Sequence, residues 1–287
     1  MTEPSPSILP LPTQGAKTRD TAYLDRIEAN LAIAEQTIKV AHEIDRAPAA
    51  EATPRISLAV SVVIPVYNER ETIVEIVRRV QAVGIHQEII IVDDFSMDGT
   101  RQILMELVRE PDIKLLFHGY NRGKGAALRT GFQQAGGDVV LIQDADLEYN
   151  PNDLPRMVAM IERGEADVVY GSRFLQHPEQ DRSRTHRFGN WLLTRASNMA
   201  TGQRLTDMET CYKVFRREVL DQLELEQDGF GFEPEITAKI SQLGYHIVEV
   251  PIEYQYRSYA EGKKIGVKDA ANALWCIAKY GGRGASL

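Results

Sequence analysis

Cysteine is scarce: Cys211 and Cys276 are the only two in 287 residues. No histidine cluster lies near either. This argues against a disulfide scaffold and a cysteine–histidine zinc site, and it fits a reducing cytoplasm. Both cysteines read as small buried hydrophobes. Uninterrupted apolar runs of about 18 residues are missing, so no transmembrane helix is expected. The chain opens Met1-Thr2-Glu3-Pro4 with no basic start and no apolar stretch, so no signal peptide is expected. The expected location is the cytoplasm, either free or peripheral at the inner face of a membrane. Positive charge is in deficit: 33 Lys and Arg stand against 41 Asp and Glu, a formal net charge of -8. Such a chain is a poor default binder of nucleic acid, and no nucleic-acid partner is expected.

The hydrophobic content of 43% suits one sizeable globular domain plus an appendage. Residues 1–20 are rich in Pro, Ser and Thr and read as disordered. Residues 21–47 place Leu24, Ile27, Leu31, Ala34, Ile38 and Ala41 at alternating spacings of three and four, an a/d heptad pattern. That helix either pairs with a second copy, giving a homodimer through residues 21–47, or packs on its own domain. Pro48 and Pro54 bracket a linker, so 21–55 reads as amphipathic helix plus linker and 56–287 as the main domain.

In that domain β-branched runs alternate with helical periodicity. Strands are expected at Val60–Val66, Glu88–Val92, Lys114–Phe117, Val139–Gln143 and Val168–Tyr170. Helices are expected at Glu71–Gln81, Thr100–Val108, Lys124–Ala135 and Pro151–Arg163. The alternation implies crossover units, hence an α/β fold with a mostly parallel central sheet and flanking helices. Ligands of such sheets bind beyond the carboxyl ends of the strands, and three strand ends carry polar clusters. Pro65-Val66-Tyr67-Asn68-Glu69 follows the first strand; it offers an aromatic face and an acceptor, or simply a turn with Asn68 as a cap. Asp93-Asp94 ends the second strand, where adjacent carboxylates need a partner such as a ribose or a base N–H. Asp98-Gly99-Thr100 reads as a turn that starts a helix. Asp144, Asp146 and Glu148 follow the fourth strand on one side of an extended chain. Converging carboxylates suit a hard cation, Mg2+ or Mn2+. Asn121-Arg122-Gly123-Lys124-Gly125-Ala126 either receives phosphate at a helix start or is a glycine turn with a solvated lysine; it lacks the spacing of a P-loop.

Taken in order these segments resemble glycosyltransferase family 2, in the branch similar to dolichyl-phosphate mannose synthase. The resemblance runs from about Val60 to Lys268. It includes Gly171-Ser172-Arg173-Phe174, Thr206-Asp207-Met208-Glu209-Thr210-Cys211-Tyr212-Lys213 and Gly231-Phe232-Glu233. It implies a GT-A-type nucleotide-binding domain and a nucleotide-sugar donor, a UDP- or GDP-sugar. By resemblance Pro65, Tyr67, Glu69 and Asp94 lie around base and ribose, and Asp144, Asp146 and Glu148 around metal and diphosphate. Two departures stand out. Phe95 replaces a usually small residue, and Asn190 replaces the leading Arg of a stretch found in lipid-phosphate synthases.

The implied reaction is inverting transfer of the sugar with divalent-metal assistance, Arg173 and Lys124 adding positive potential. A hydroxyl acceptor needs a base, for which Asp207, Glu209 and Glu233 are candidates. A phosphate acceptor, the polyprenyl phosphate of this branch, needs cations such as Arg173, Arg187 and Arg195. The stretch Val267–Tyr280 is either a helix closing the core or one lying on a membrane surface. Lys263 and Lys264 sit on a segment expected to fold over the site. Two other readings remain: a sugar-phosphate nucleotidyltransferase, and a non-catalytic nucleotide-sugar-binding scaffold.

Overall fold

The computed structural model describes residues 56–176, 184–255 and 267–282, with the side chains of 184–186 and 267–269 excepted. The disordered segment, heptad helix and linker expected over 1–55, and the segment carrying Lys263 and Lys264, lie outside the described residues. The chain divides into two units, Met1–Thr53 and Pro54–Leu287; every described element belongs to the second.

Its elements run β1 (Val60–Val66), α1 (Ile73–Val83), β2 (Glu88–Asp93), α2 (Thr100–Leu107), β3 (Ile113–Phe117), α3 (Lys124–Gln134) and β4 (Val139–Ile142). A short 3-10 turn at Pro151–Asp153 leads into α4 (Leu154–Glu162), β5 (Val168–Ser172) and α5 (Arg184–Thr201). Then come β6 (Lys213–Arg216), α6 (Arg217–Leu220), α7 (Phe232–Gln242), β7 (Ile247–Pro251) and α8 (Val267–Tyr280). The nine expected elements up to residue 170 are present, with ends shifted by a few residues. Pro151 starts the 3-10 turn rather than the α-helix, since Asn150 caps that turn through the Asn152 amide.

The strands form one sheet in the order β3-β2-β1-β4-β6-β5-β7. Neighbours are parallel except β6, which runs antiparallel to both β4 and β5. The sheet is covered on both faces, which is why its strands are almost continuously apolar. Alternation divides them cleanly. Val62, Ile64, Ile89, Ile91 and Leu141 point into one core with α1 and α4. Val63, Ile90, Val92, Val140 and Ile142 point into the other with α3 and α7. All ten side chains are buried, each worth about 1.5–3 kcal/mol against exposure. Helix α1 follows the same logic: Ile73, Ile76, Val77 and Val80 are buried, while Glu75 and Arg79 pair across the solvent face at 2.7 Å.

Parallel strands bring the carboxyl ends of β1, β2, β4 and β5 to one edge. Because β6 is reversed, it presents its amino end there, delivering Cys211, Tyr212 and Lys213 to the acidic strand ends. Helix α8 closes the second face of the domain, burying Ala273, Cys276, Ile277 and Tyr280 against α7 and α5.

Candidate active site

A cavity of about 360 Å³ opens at this edge. Its walls come from β1 (Pro65), the loops after β1 (Tyr67, Glu69), β2 (Asp94), β4 (Asp144, Asp146, Glu148) and β5 (Arg173), helix α3 (Lys124) and the segments carrying Glu209 and Glu233. Tyr149, Cys211, Phe230 and Tyr254 complete them.

The loops after β1 and β2 are zipped together. Asn68 N–H donates to Ser96 Oγ at 2.9 Å, and Asn68 Oδ1 accepts from the Met97 amide at 2.8 Å. Glu69 N–H donates to Thr100 Oγ1 at 3.0 Å. Asn68 is therefore a loop tie, not the cap of α1. It adopts a left-handed φ of 52°, which asparagine tolerates. Asp98 starts α2 as expected, its Oδ1 accepting from Thr100 N–H at 3.0 Å. Phe95 also has positive φ, 68°, uncommon for a bulky residue. Its ring lies 5.0 Å from the Arg101 guanidinium, which Phe117 flanks at 5.1 Å and Asp93 anchors at 2.6 Å. That clamp accounts for an aromatic residue at this turn.

Asp94 reaches the cavity, but much of its accepting capacity is taken. His118 Nδ1 lies 2.7 Å from Oδ1, the Arg122 amide donates to Oδ1 at 2.8 Å and the Gly123 amide to Oδ2 at 2.7 Å. The carboxylate thus shapes the turn into α3. The glycines of that turn do not open a phosphate cradle. Gly123 has φ 100°, and a Cβ on it or on Gly125 would run into the backbone of Asp228 and Gln227. The Ala126 amide donates to Asp228 O at 3.0 Å. Close approach of the 227–228 backbone occupies this helix start. Lys124 is not solvated either.

Lys124 Nζ instead sits 2.9 Å from Asp144 Oδ1, 2.9 Å from Cys211 Sγ and 3.5 Å from Glu233 Oε1. Glu233 Oε2 in turn takes Lys213 Nζ at 2.7 Å, and Lys213 is fully buried. The result is an alternating chain, Asp144–Lys124–Glu233–Lys213. Burial disfavours charge on Lys124 and Asp144, but their mutual attraction prevails: the lysine is raised and the aspartate lowered. Burial, then Asp144, raises the Cys211 thiol, so it stays protonated.

Asp146 behaves oppositely. Burial, then the charges of Asp144 and Glu148, push it up to about 8. A carboxyl so placed gains from a cation, which fits Mg2+ or Mn2+. The expected three-carboxylate cage is not preformed: among the described residues no group of three acidic, histidine or cysteine side chains closes on one point. Asp144 is turned to Lys124, and Glu148 Oε2 accepts from Tyr254 O–H at 3.0 Å. Asp146 is thus the residue best suited to a metal. Magnesium commonly completes its shell with substrate phosphates and water.

Arg173 lines the same cavity as the acidic residues after β4 and is clamped by Asp207. Asp207 Oδ2 accepts from its Nε at 2.7 Å and Oδ1 from its Nη2 at 2.8 Å. Burial opposes the charge, but Asp207 outweighs it and the guanidinium is shifted further upward. Glu249 Oε1 fixes Asp207 by accepting from its amide at 2.9 Å. Asp207, expected as a base, is fully buried, paired with Arg173 and not among the residues that line the cavity. Glu233 is committed to two lysines. Glu209 alone of the three expected bases keeps an oxygen, Oε1, with no hydrogen-bond partner. Burial, then Glu233, raises it to about 8.

Arg187 and Arg195 do not reach the cavity. Helix α5 buries Asn190, Leu193, Thr194 and Ser197; its period of 3.6 carries both arginines to the exposed face. Lys213, Cys211, Tyr149 and Tyr254 also stand in or behind the cavity wall, although the sequence had assigned them no role there. Only a lysine inside the apolar run Lys213-Val214-Phe215 hinted at the first, because buried lysines require partners.

Residues 61–224 match the family model described as Glycosyl transferase family 2. An undecaprenyl-phosphate 4-deoxy-4-formamido-L-arabinose transferase of Pseudomonas fluorescens is 32% identical over 71% of this chain and 59% of its own. This chain thus spans about three fifths of that relative's length. A polyprenol monophosphomannose synthase of Mycolicibacterium smegmatis is 32% identical over 81% of this chain and 91% of its own. Among solved structures, glucosyl-3-phosphoglycerate synthase from Mycobacterium tuberculosis with Mn2+, UDP and glucosyl-3-phosphoglycerate superposes with a TM-score of 0.60 at 19% identity. It covers 79% of this chain and 81% of that one; the likeness is one of fold.

Proposed function

The chain belongs to glycosyltransferase family 2, and from that membership we propose that it moves a sugar from a nucleoside diphosphate-sugar to a polyprenyl phosphate. The observation that carries the acceptor is Arg173, a buried cation held charged by Asp207 and lining the same cavity as Asp144, Asp146 and Glu148. A phosphate oxygen is already anionic and needs a cation, not a base. Two of the three carboxylates expected as bases are tied to cations. The relatives named for undecaprenyl phosphate and polyprenol point the same way.

In the proposed reaction an acceptor phosphate oxygen attacks the anomeric carbon. The bond from that carbon to the donor diphosphate breaks, the diphosphate leaves with the electron pair, and the configuration inverts. Tyr67 and Glu69 face the nucleoside, a uridine or guanosine. Lys124 and Arg173 supply fixed positive potential in a poorly hydrated site, where it acts most strongly on developing anionic charge. Mg2+ or Mn2+, held by Asp146 with Asp144 and Glu148 beside it, would neutralise charge on the departing diphosphate. Tyr149, Phe230 and Tyr254 restrict water, favouring transfer over hydrolysis.

One observation favours a second reading. Glu209 Oε1 has no hydrogen-bond partner and its carboxyl titrates at about 8, which suits a general base for a hydroxyl acceptor. Radiolabelled UDP- and GDP-sugars with Mn2+ and polyprenyl phosphate separate the readings. Label extracted into the organic phase, with Glu209→Gln keeping most of the rate, supports the phosphate acceptor. Label confined to water, with that variant inactive, sinks it.

A further inference from the structure

The chain has only two tryptophans, and both are exposed: Trp191 at 57% and Trp275 at 53%. Tryptophan is on average well buried in soluble proteins. Trp191 lies on α5 and Trp275 on α8, helices that pack against each other and against α7. Around Trp191 the outer face of α5 is apolar over three turns. Phe188 (63% exposed) precedes Trp191 by three residues and Leu192 by four, and Met199 (75%) follows Leu192 by seven, with Arg195 between them. The Phe188 and Trp191 rings stack at 5.8 Å. On α8 the exposed residues include Leu274 and Trp275, and Lys279 Nζ lies 5.1 Å from the Trp275 ring.

The charge on α5 is one-sided. Its 18 residues include Arg184, Arg187 and Arg195 and no Asp or Glu, in a chain with 41 acidic residues. Arg187 and Arg195 are exposed beside the aromatic stripe. A tryptophan with its indole N–H, a phenylalanine, long apolar side chains and arginines on one helix face match the boundary between lipid headgroups and acyl chains. A second copy of the chain fits poorly, because a twofold contact would set the two arginine rows against each other. The inner face of the same helix supports the site: Thr194 Oγ1 accepts from the Met208 amide at 3.1 Å, next to Asp207 and Glu209.

We infer that the outer face of α5, flanked by Trp275 of α8, docks this enzyme in the plane of an anionic lipid bilayer. No helix among the described residues is long and apolar enough to cross a membrane, so the contact is interfacial. The inference rests on the lipid-phosphate reading of the site and deepens it: a membrane-held acceptor reaches the cavity only if the domain sits on the surface.

In the 287-residue chain, Trp275→Phe leaves Trp191 as sole reporter. On phosphatidylcholine vesicles containing phosphatidylglycerol its emission shifts to the blue, brominated acyl chains quench it, and the protein floats with the vesicles. Pure phosphatidylcholine binds about thirtyfold more weakly, as expected from two exposed arginines near a charged surface. Phe188→Ser with Trp191→Ser lowers flotation of the otherwise native chain about tenfold. Its melting temperature, and its turnover of a short-chain isoprenyl phosphate in solution, stay unchanged. Absence of both shift and flotation on the anionic vesicles overturns the inference. So does a dimer in sedimentation equilibrium that the double substitution dissociates. Flotation without glycosylation of any lipid phosphate leaves the docking standing and removes the acceptor reading. Turnover of the soluble phosphate without flotation does the reverse.

Discussion

Lys124 and Asp144 hold each other at 2.9 Å across the cavity edge, one from the first turn of α3 and the other from the end of β4. Neither is a surface charge; their side chains are only 14% and 16% exposed. The pair also sits in a longer series, since Glu233 lies 3.5 Å from the same lysine. Removing Lys124 leaves two buried carboxylates with less compensation. Lys124→Met is expected to lose about 3–5 kcal/mol of stability, as when one partner of a buried pair is deleted. Asp144→Asn loses less, because Glu233 still answers the lysine. In urea unfolding the double substitution then recovers part of the Lys124→Met loss. Strict additivity would show that the two do not interact.

Glu209 ties stability to pH. Its carboxyl is raised from 4.5 to about 8, so the folded chain binds that proton more tightly than the unfolded chain. The contribution is complete below about pH 4.5 and is lost as pH rises to about 8. Its slope approaches about 1.4 kcal/mol per pH unit. Glu209→Gln cannot ionise and removes that slope. Urea midpoints from about pH 5 to 9 are expected to fall more steeply for the native chain, with the variant the more stable above pH 8. Parallel profiles would refute this.

Asp146 should couple metal to protons. With its carboxyl raised to about 8, a cation competes with a proton there. Mn2+ is expected to raise the melting temperature more at about pH 8.5 than at about pH 6. Asp146→Asn abolishes most of the rise at both. An undiminished rise in that variant would move the metal elsewhere.

Glycines with near and far neighbours should behave differently. A Cβ on Gly125 would run into the Gln227 carbonyl, and one on Gly131 into Val63. Either Gly→Ala substitution is expected to lose about 1–3 kcal/mol by overpacking. Gly189, within α5, has nothing within 4 Å. Gly189→Ala should gain about 0.5–1 kcal/mol from helix propensity. Thermal melts of the three variants give the comparison, and equal shifts would be inconsistent with it.

One half of the cavity wall was legible because its residues sit at strand ends. Tyr67, Asp94, Asp144 and Asp146 each follow an apolar run that ends in polar residues, and parallel topology then brings them together. The other half was not. Lys213 meets Lys124 only through Glu233, and that meeting depends on β6 entering between β4 and β5 in reverse. A four-residue strand that starts with a lysine has no period of its own to announce this. That Arg187 and Arg195 fall on the exposed face was hidden for a similar reason: helix α5 is apolar on both sides, so its pattern does not say which face is buried.

The reversed strand also separates the two halves in time. Strands β3, β2, β1 and β4 all lie within residues 60–142 and pair only with one another, apart from the edge of β4 that receives β6. A chain emerging from the ribosome can close that four-stranded half, with the aspartates at its rim, about seventy residues before Lys213 exists. Sheet formation on the β5 side must wait for β6, which bridges β4 and β5. Long-range pairings of this kind are slow steps in assembly. In pulse-labelled hydrogen exchange the amides of β1 and β2 are therefore expected to gain protection before those of β5 and β7.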